Sequence, residues 1–213
     1  TGATTGSVGL IANVDPAATT VIDNITLNNV DVSAIGTAAN VAGLIGVTGA
    51  NEVTVSNVSI TFKTDTGIKG TAAAGLIGTA GINTSIANAN VTTQGTGTIT
   101  GTTHASGLVG MFNGTTIDNA DVTLSAALSA TGVNSFVGGI AANVADATIS
   151  NSNVTFADVA SASAATSKVG GIAGNVSGIS TITNNKVTAA VLISANTTGS
   201  RSEEHTSELQ SHS

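Results

Sequence analysis

The chain has 213 residues, with five Lys and Arg against twelve Asp and Glu and a formal net charge of −7. A nucleic-acid-binding domain needs a basic patch, and Lys63, Lys69, Lys168 and Lys186 are too few and too scattered to form one. Hydrophobic residues make up 41% but aromatics only 2%, with no Trp or Tyr. The interior must therefore be narrow and filled with Val, Ile, Leu and Ala rather than with large rings. Charged residues amount to only 8%, so the charge-driven signature of disorder is missing. No segment is apolar for long enough to span a bilayer. With no cysteine, neither a disulfide nor a thiolate metal site is expected.

Taken in chain order, two motifs recur. The first is a small residue or Val, Gly, an aliphatic residue, a second small or aliphatic residue, then Gly or Ala. It begins at Val8-Gly9-Leu10-Ile11-Ala12 and returns as Ala42-Gly43-Leu44-Ile45-Gly46 and Ala74-Gly75-Leu76-Ile77-Gly78. Three further copies are Ser106-Gly107-Leu108-Val109-Gly110, Gly138-Gly139-Ile140-Ala141-Ala142 and Gly170-Gly171-Ile172-Ala173-Gly174. Its anchoring glycines, Gly9, Gly43, Gly75, Gly107, Gly139 and Gly171, are spaced by 34, 32, 32, 32 and 32 residues. The second motif is aliphatic-x-Asn-x-x-aliphatic. It reads Leu27/Asn29/Val32, Val55/Asn57/Ile60, Ile86/Asn88/Val91, Ile117/Asn119/Val122, Ile149/Asn151/Val154 and Ile182/Asn184/Val187. Four residues after each Asn stands a hydroxyl: Ser33, Thr61, Thr92, Thr123, Thr155 and Thr188.

A fixed period of this length marks a repeat architecture. The units are rich in Val, Ile and Thr and alternate by two, which favours strands over helices. Within each unit the apolar parity switches, as between Ile117 and Val122, so a corner must fall at about Asn119 to Asp121. Asn suits that corner because it tolerates left-handed backbone. The expected fold is all-β: a right-handed parallel β-helix, or β-solenoid, of about six 32-residue coils with uncapped ends. At about 4.8 Å per coil the stack rises about 29 Å. Identical residues then form ladders. Leu27, Val55, Ile86, Ile117, Ile149 and Ile182 are expected to build the core, with an inward Asn ladder at Asn29, Asn57, Asn88, Asn119, Asn151 and Asn184. The variable segments supply loops and a third face.

Gly-Leu-Ile/Val-Gly followed by Ile-x-Asn-x-x-Val resembles the GLUG-type repeat of bacterial surface β-solenoids, over residues 8 to 192. The chain departs from the strict pattern at Ala12, Ala141 and Ala142. The resemblance implies an extracellular or cell-surface adhesin-like or autotransporter-like protein. It also implies a rigid stalk or display surface whose partners are glycans or surface proteins, together with flanking coils of the same chain.

Composition breaks at Arg201. The string Arg201-Ser-Glu-Glu-His-Thr-Ser-Glu-Leu-Gln-Ser-His212 is similar to a translated short-read sequencing adapter. Residues 1–200 are thus taken as the solenoid region of a longer protein, and residues 201–213 as an artefactual, disordered tail.

No residue set points to a catalytic, metal or cofactor site. Within residues 1–200 His104 is the only histidine and no Cys accompanies it, whereas metal sites need several ligands, and it reads as a loop residue beside Gly107. Glycosidases use carboxylate pairs. Asp31 and Asp121 fall three coils apart at one repeat position, too far to pair. Asp118 and Asp121 flank one corner and read as solvated. The nucleophile-elbow and phosphate-loop patterns are missing, and Gly95-Thr96-Gly97 reads as a loop. The hydroxyl column suggests two readings, an ice-binding face or plain strand propensity. Because the column two residues on is irregular (Ile35, Lys63, Gln94, Ser125, Ala157, Ala190), strand propensity is preferred. A non-catalytic part of a polysaccharide-active β-helix enzyme is the other alternative.

Overall fold

The computed structural model describes residues 6–15, 18–32, 39–191 and 193–195. It is the expected all-β solenoid. Among the described residues every strand pairing is parallel, and the coils place their strands in three sheets of nine, six and eight strands. In the fourth coil the first face is Thr98–Ser106, the second Val109–Phe112 and the third Thr116–Leu124. The next coil repeats the order, with its first face split into Ala127–Ala130 and Phe136–Gly138.

The ladders follow the sequence motifs. Ile117 pairs with Ile86 below and Ile149 above. The anchoring glycines turn the chain from the first face to the second. A Cβ on Gly75 would lie 2.1 Å from the Gly107 carbonyl oxygen and 2.6 Å from Val91 Cγ1. The same collision recurs for Gly107 with Gly139 and Val122, and for Gly139 with Gly171 and Val154. Motif one therefore packs on the second aliphatic residue of motif two, and this contact fixes their mutual register.

The core consists of aliphatic side chains with three rings, Phe62, Phe112 and Phe156, all fully buried. Phe62 takes the place that a side chain at position 43 would need: a Cβ on Gly43 would be 2.7 Å from its ring. The described stack is apolar at both ends. Leu10 is 66% exposed at one end and Ile179 93% at the other. At the first end Val8, Leu10, Leu27, Val30 and Val32 line an open depression of about 310 Å³.

The first coil corrects the sequence reading. Ile22 pairs with Val55, and Leu27 with Ile60. The counterpart of Asn57 is thus Asn24, with φ 54°, not Asn29. The second motif of this coil is Ile22/Asn24/Leu27. Asn29 also has positive φ, but it belongs to an irregularity between Leu27 and Val30. Two residues, Asn28 and Asn29, stand opposite Thr61 there, as in a β-bulge. Asp31 consequently leaves the Asp121 column and forms an ion pair with Lys63 at 3.6 Å. Ser33 and the 201–213 segment lie outside the described residues.

Candidate functional site

The third face carries the Asn column. Asn57, Asn88, Asn119, Asn151 and Asn184 have φ between 50° and 54°, and each turns the strand by one corner. Such backbone is costly for most L-residues and cheapest for Asn and Gly. The ladder is exposed rather than inward. The left-handed residue resets the alternation, so that Ile117, Ala120 and Val122 all face the core and Asn119 is turned out. Its amides still bond coil to coil: Asn119 Nδ2 donates to Asn88 Oδ1 at 2.8 Å, and Asn88 Nδ2 to Asn57 Oδ1 at 3.0 Å. Asn57 donates to Asp23, and Asn151 to Asp118. Inside this corner stand Ala89, Ala120 and then Ser152, which is buried and bonds to the Ala120 amide. From Ser152 onward the third-face strand is broken in two.

The hydroxyl column is in register from Thr61 through Thr92, Thr123 and Thr155 to Thr188, pointing outward. A second column, not read from the sequence, runs through Thr54, Ser85, Thr116, Thr148 and Thr181 on the other side of the Asn corner. A constant interval of seven residues carries its signal in the sequence. The corner between them prevents the two columns from forming one flat array.

Among the described residues the carboxylates do not assemble into acid–base pairs. Asp118 Oδ1 accepts from Ser150 Oγ and Asn151 Nδ2, both at 2.7 Å. These hydrogen bonds, Ser150 first, hold its pKa below the ordinary value. Asp23 is lowered in the same way by Ser56 and Asn57. Asp121 accepts from Asn153 at 2.7 Å. A general acid would need the opposite shift. Among the described residues no three His, Cys, Asp or Glu side chains converge as metal ligands, and no helix is long and apolar enough to cross a membrane.

The densest chemistry lies where the first and second faces meet. The second glycine of motif one makes this junction concave. A Cβ on Gly78 would meet Asn40 Cβ at 3.0 Å, and one on Gly110 would meet Ala72 Cβ at 3.2 Å. Asn40, Ala72, His104, Phe136 and Lys168 form one register column on the outer side of the first face. Val47, Thr79, Met111, Asn143 and Asn175 form the facing column on the second. Two hydrogen bonds cross the crease: Thr79 Oγ1 to Asn40 Oδ1 at 2.6 Å, and Lys168 Nζ to Asn175 Oδ1 at 2.7 Å. Asn175 Nδ2 in turn donates to Asn143 at 2.8 Å.

His104 therefore occupies a strand, not the loop expected for it; the irregularity between Gly101 and His104 absorbs the loop-like residues. Its ring lies 5.6 Å from that of Phe136, and the Lys168 ammonium lies 5.6 Å from the Phe136 centroid. Thr103 Oγ1 donates its one proton to the Thr71 carbonyl at 3.0 Å. The 2.7 Å contact of that oxygen with His104 Nδ1 then assigns the ring proton to Nδ1 and leaves Nε2 an acceptor. Burial lowers the His104 pKa, so the ring is neutral at neutral pH. Two residues on, Ser106 is fully buried and its hydroxyl has no hydrogen-bond partner among the described residues.

Compared with protein-family models, with the curated proteins and with the solved structures, the chain finds no significant match in any of the three.

Proposed function

We propose that the chain is a structural and adhesive segment of a bacterial cell-surface or secreted protein, a rigid solenoid stalk whose outer faces meet glycan or protein partners. The observation that carries this reading is the coil-on-coil register. From Asn40 to Lys168 on the first face, and from Thr54 to Thr181 on the third, each residue stands on its counterpart one coil below. Single-residue changes in repeat length are absorbed in turns, as between Thr79 and Thr84, and in the strand irregularities at Leu27/Val30 and Gly101/His104. Such a stack resists bending, because deforming it breaks three parallel sheets together. Its repeated outer columns give a long, regular binding surface, as solenoids do. The similarity of its two motifs to the GLUG-type repeat agrees with a surface location, and so does the absence of cysteine.

The test is a panel of immobilised glycans and extracellular-matrix proteins probed with the purified chain. Saturable binding to at least one member is expected. No binding across the panel would reduce the role to that of a stalk. Turnover of any polysaccharide in the panel would replace the proposal with an enzymatic one.

A further inference from the structure

We propose that the crease between the first and second faces binds acidic polysaccharide, with Lys168 taking the carboxylate of a uronate unit. This rests on the adhesive reading and names its ligand class.

The first argument is charge. The chain is acidic overall, yet the strands of the first and second faces contain no Asp or Glu, while the third-face strands hold Asp23, Asp118 and Asp121. Within this acid-free region Lys168 sits on the crease wall, exposed, with no carboxylate partner among the described residues. Its ammonium has three protons and gives one to Asn175. The cation is thus positioned by a hydrogen bond and by the Phe136 ring, with donors left for an anion.

The second argument is the remaining lining. A uronate presents hydroxyls as well as a carboxylate. His104 Nε2 is an acceptor on the same wall, one further coil down from Phe136. The linked amides of Asn143 and Asn175 form the opposite wall, and Met111 and Phe136 supply apolar surface between. An acidic peptide fits less well. Extended peptides gain affinity by adding to a free sheet edge. The strands of Phe136 and Asn143 are paired on both sides, whereas those of Lys168 and Asn175 pair on one side only among the described residues, and the polyglutamate arm below tells a peptide at that edge apart. The crease column runs along the stack from Asn40 to Lys168, a direction that suits a polymer of repeating polar units.

The probe is an oligogalacturonate titrated calorimetrically into the full chain, with its methyl ester as the uncharged control. Binding of the acid but not the ester is expected, weakening with added salt. Lys168→Met keeps an aliphatic stem on Phe136 and should weaken binding by about tenfold or more. Lys69→Met, on the same face but outside the crease, should leave it unchanged. Equal binding of the ester, full binding by Lys168→Met, or equally tight binding of polyglutamate would overturn the proposal. If the chain binds other immobilised glycans or proteins but not oligogalacturonate, the crease assignment falls and the adhesive reading stands. If it binds nothing at all, both fall.

Discussion

Asn151 donates its side-chain amide to Asp118 at 2.7 Å, so the exposed Asn column passes onto a carboxylate at the fifth coil. Asn57 does the same with Asp23 at 2.8 Å at the start of the column. Each run of amide donors thus ends on an aspartate, and the charge state of two surface groups is tied to the stacking of the coils.

That coupling sets a pH dependence. Both aspartates have folded-state pKa values below the ordinary one, caused first by their Ser partners and then by Asn. A depressed carboxylate contributes stability above its unfolded pKa, and the contribution is lost as pH falls through the folded value. The melting temperature should therefore drop as pH falls below about 4. In Asp23→Asn/Asp118→Asn that drop should be smaller. Parallel pH profiles of the two proteins in thermal melts would contradict the assignment.

Ser106 occupies the column of Ala42 and Ala74, where its buried hydroxyl meets no partner among the described residues. Replacing it with Ala removes a desolvated polar group and leaves the packing intact. Ser106→Ala should stabilise the chain by about 1 kcal/mol, raising its melting temperature by about 2–4 °C. A loss of stability in calorimetry would mean that the hydroxyl is bonded.

Two glycines on neighbouring segments should respond in opposite ways. Gly75→Ala drives a Cβ to 2.1 Å from the backbone of the next coil and should cost about 3 kcal/mol or more. A Cβ on Gly67 finds nothing nearer than 3.8 Å, and Gly67→Ala should be neutral or slightly stabilising, since Gly weakens strands. Denaturant melts of the two variants measure the contrast, and comparable costs would contradict the packing described for the corner.

Thr166 has φ 59°, an unusual value for a β-branched residue, directly above Asn134 with φ 55°. Thr166→Asn should relieve the strain and raise stability by about 1 kcal/mol. Destabilisation in the same melts would show that the Thr166 hydroxyl, which bonds Asn134 and the Ala165 carbonyl, outweighs the backbone strain.

The coil architecture was legible because its two motifs answer to local constraints. Gly75 has no room for a Cβ, and Asn119 must adopt left-handed backbone, so both needs are written into every coil. The first coil misleads because its bulge creates a decoy. Leu27/Asn29/Val32 fits the second motif as well as Ile22/Asn24/Leu27 does, and only spacing separates them: Asn24 precedes Asn57 by 33 residues, Asn29 by 28. The Asn ladder was expected inside because Asn119 shares the period-two parity of Ile117; the switch at the corner was legible, but not that the left-handed backbone turns the Asn side chain itself outward. The crease was not legible at all. It depends on which of three faces folds back on its neighbour, and the column from Asn40 to Lys168 has no residue type in common.

The central claim is a rigid stack in fixed register, and the absence of cysteine makes it directly measurable. Spin labels on Thr61→Cys and Thr188→Cys would report the separation of two positions in one outward column, four coil steps apart. At about 4.8 Å per step the backbone separation is about 19 Å. Double electron–electron resonance should give one narrow distribution centred near that value once the label length is included. A broad distribution, or one displaced by more than a coil step, would contradict a rigid in-register solenoid.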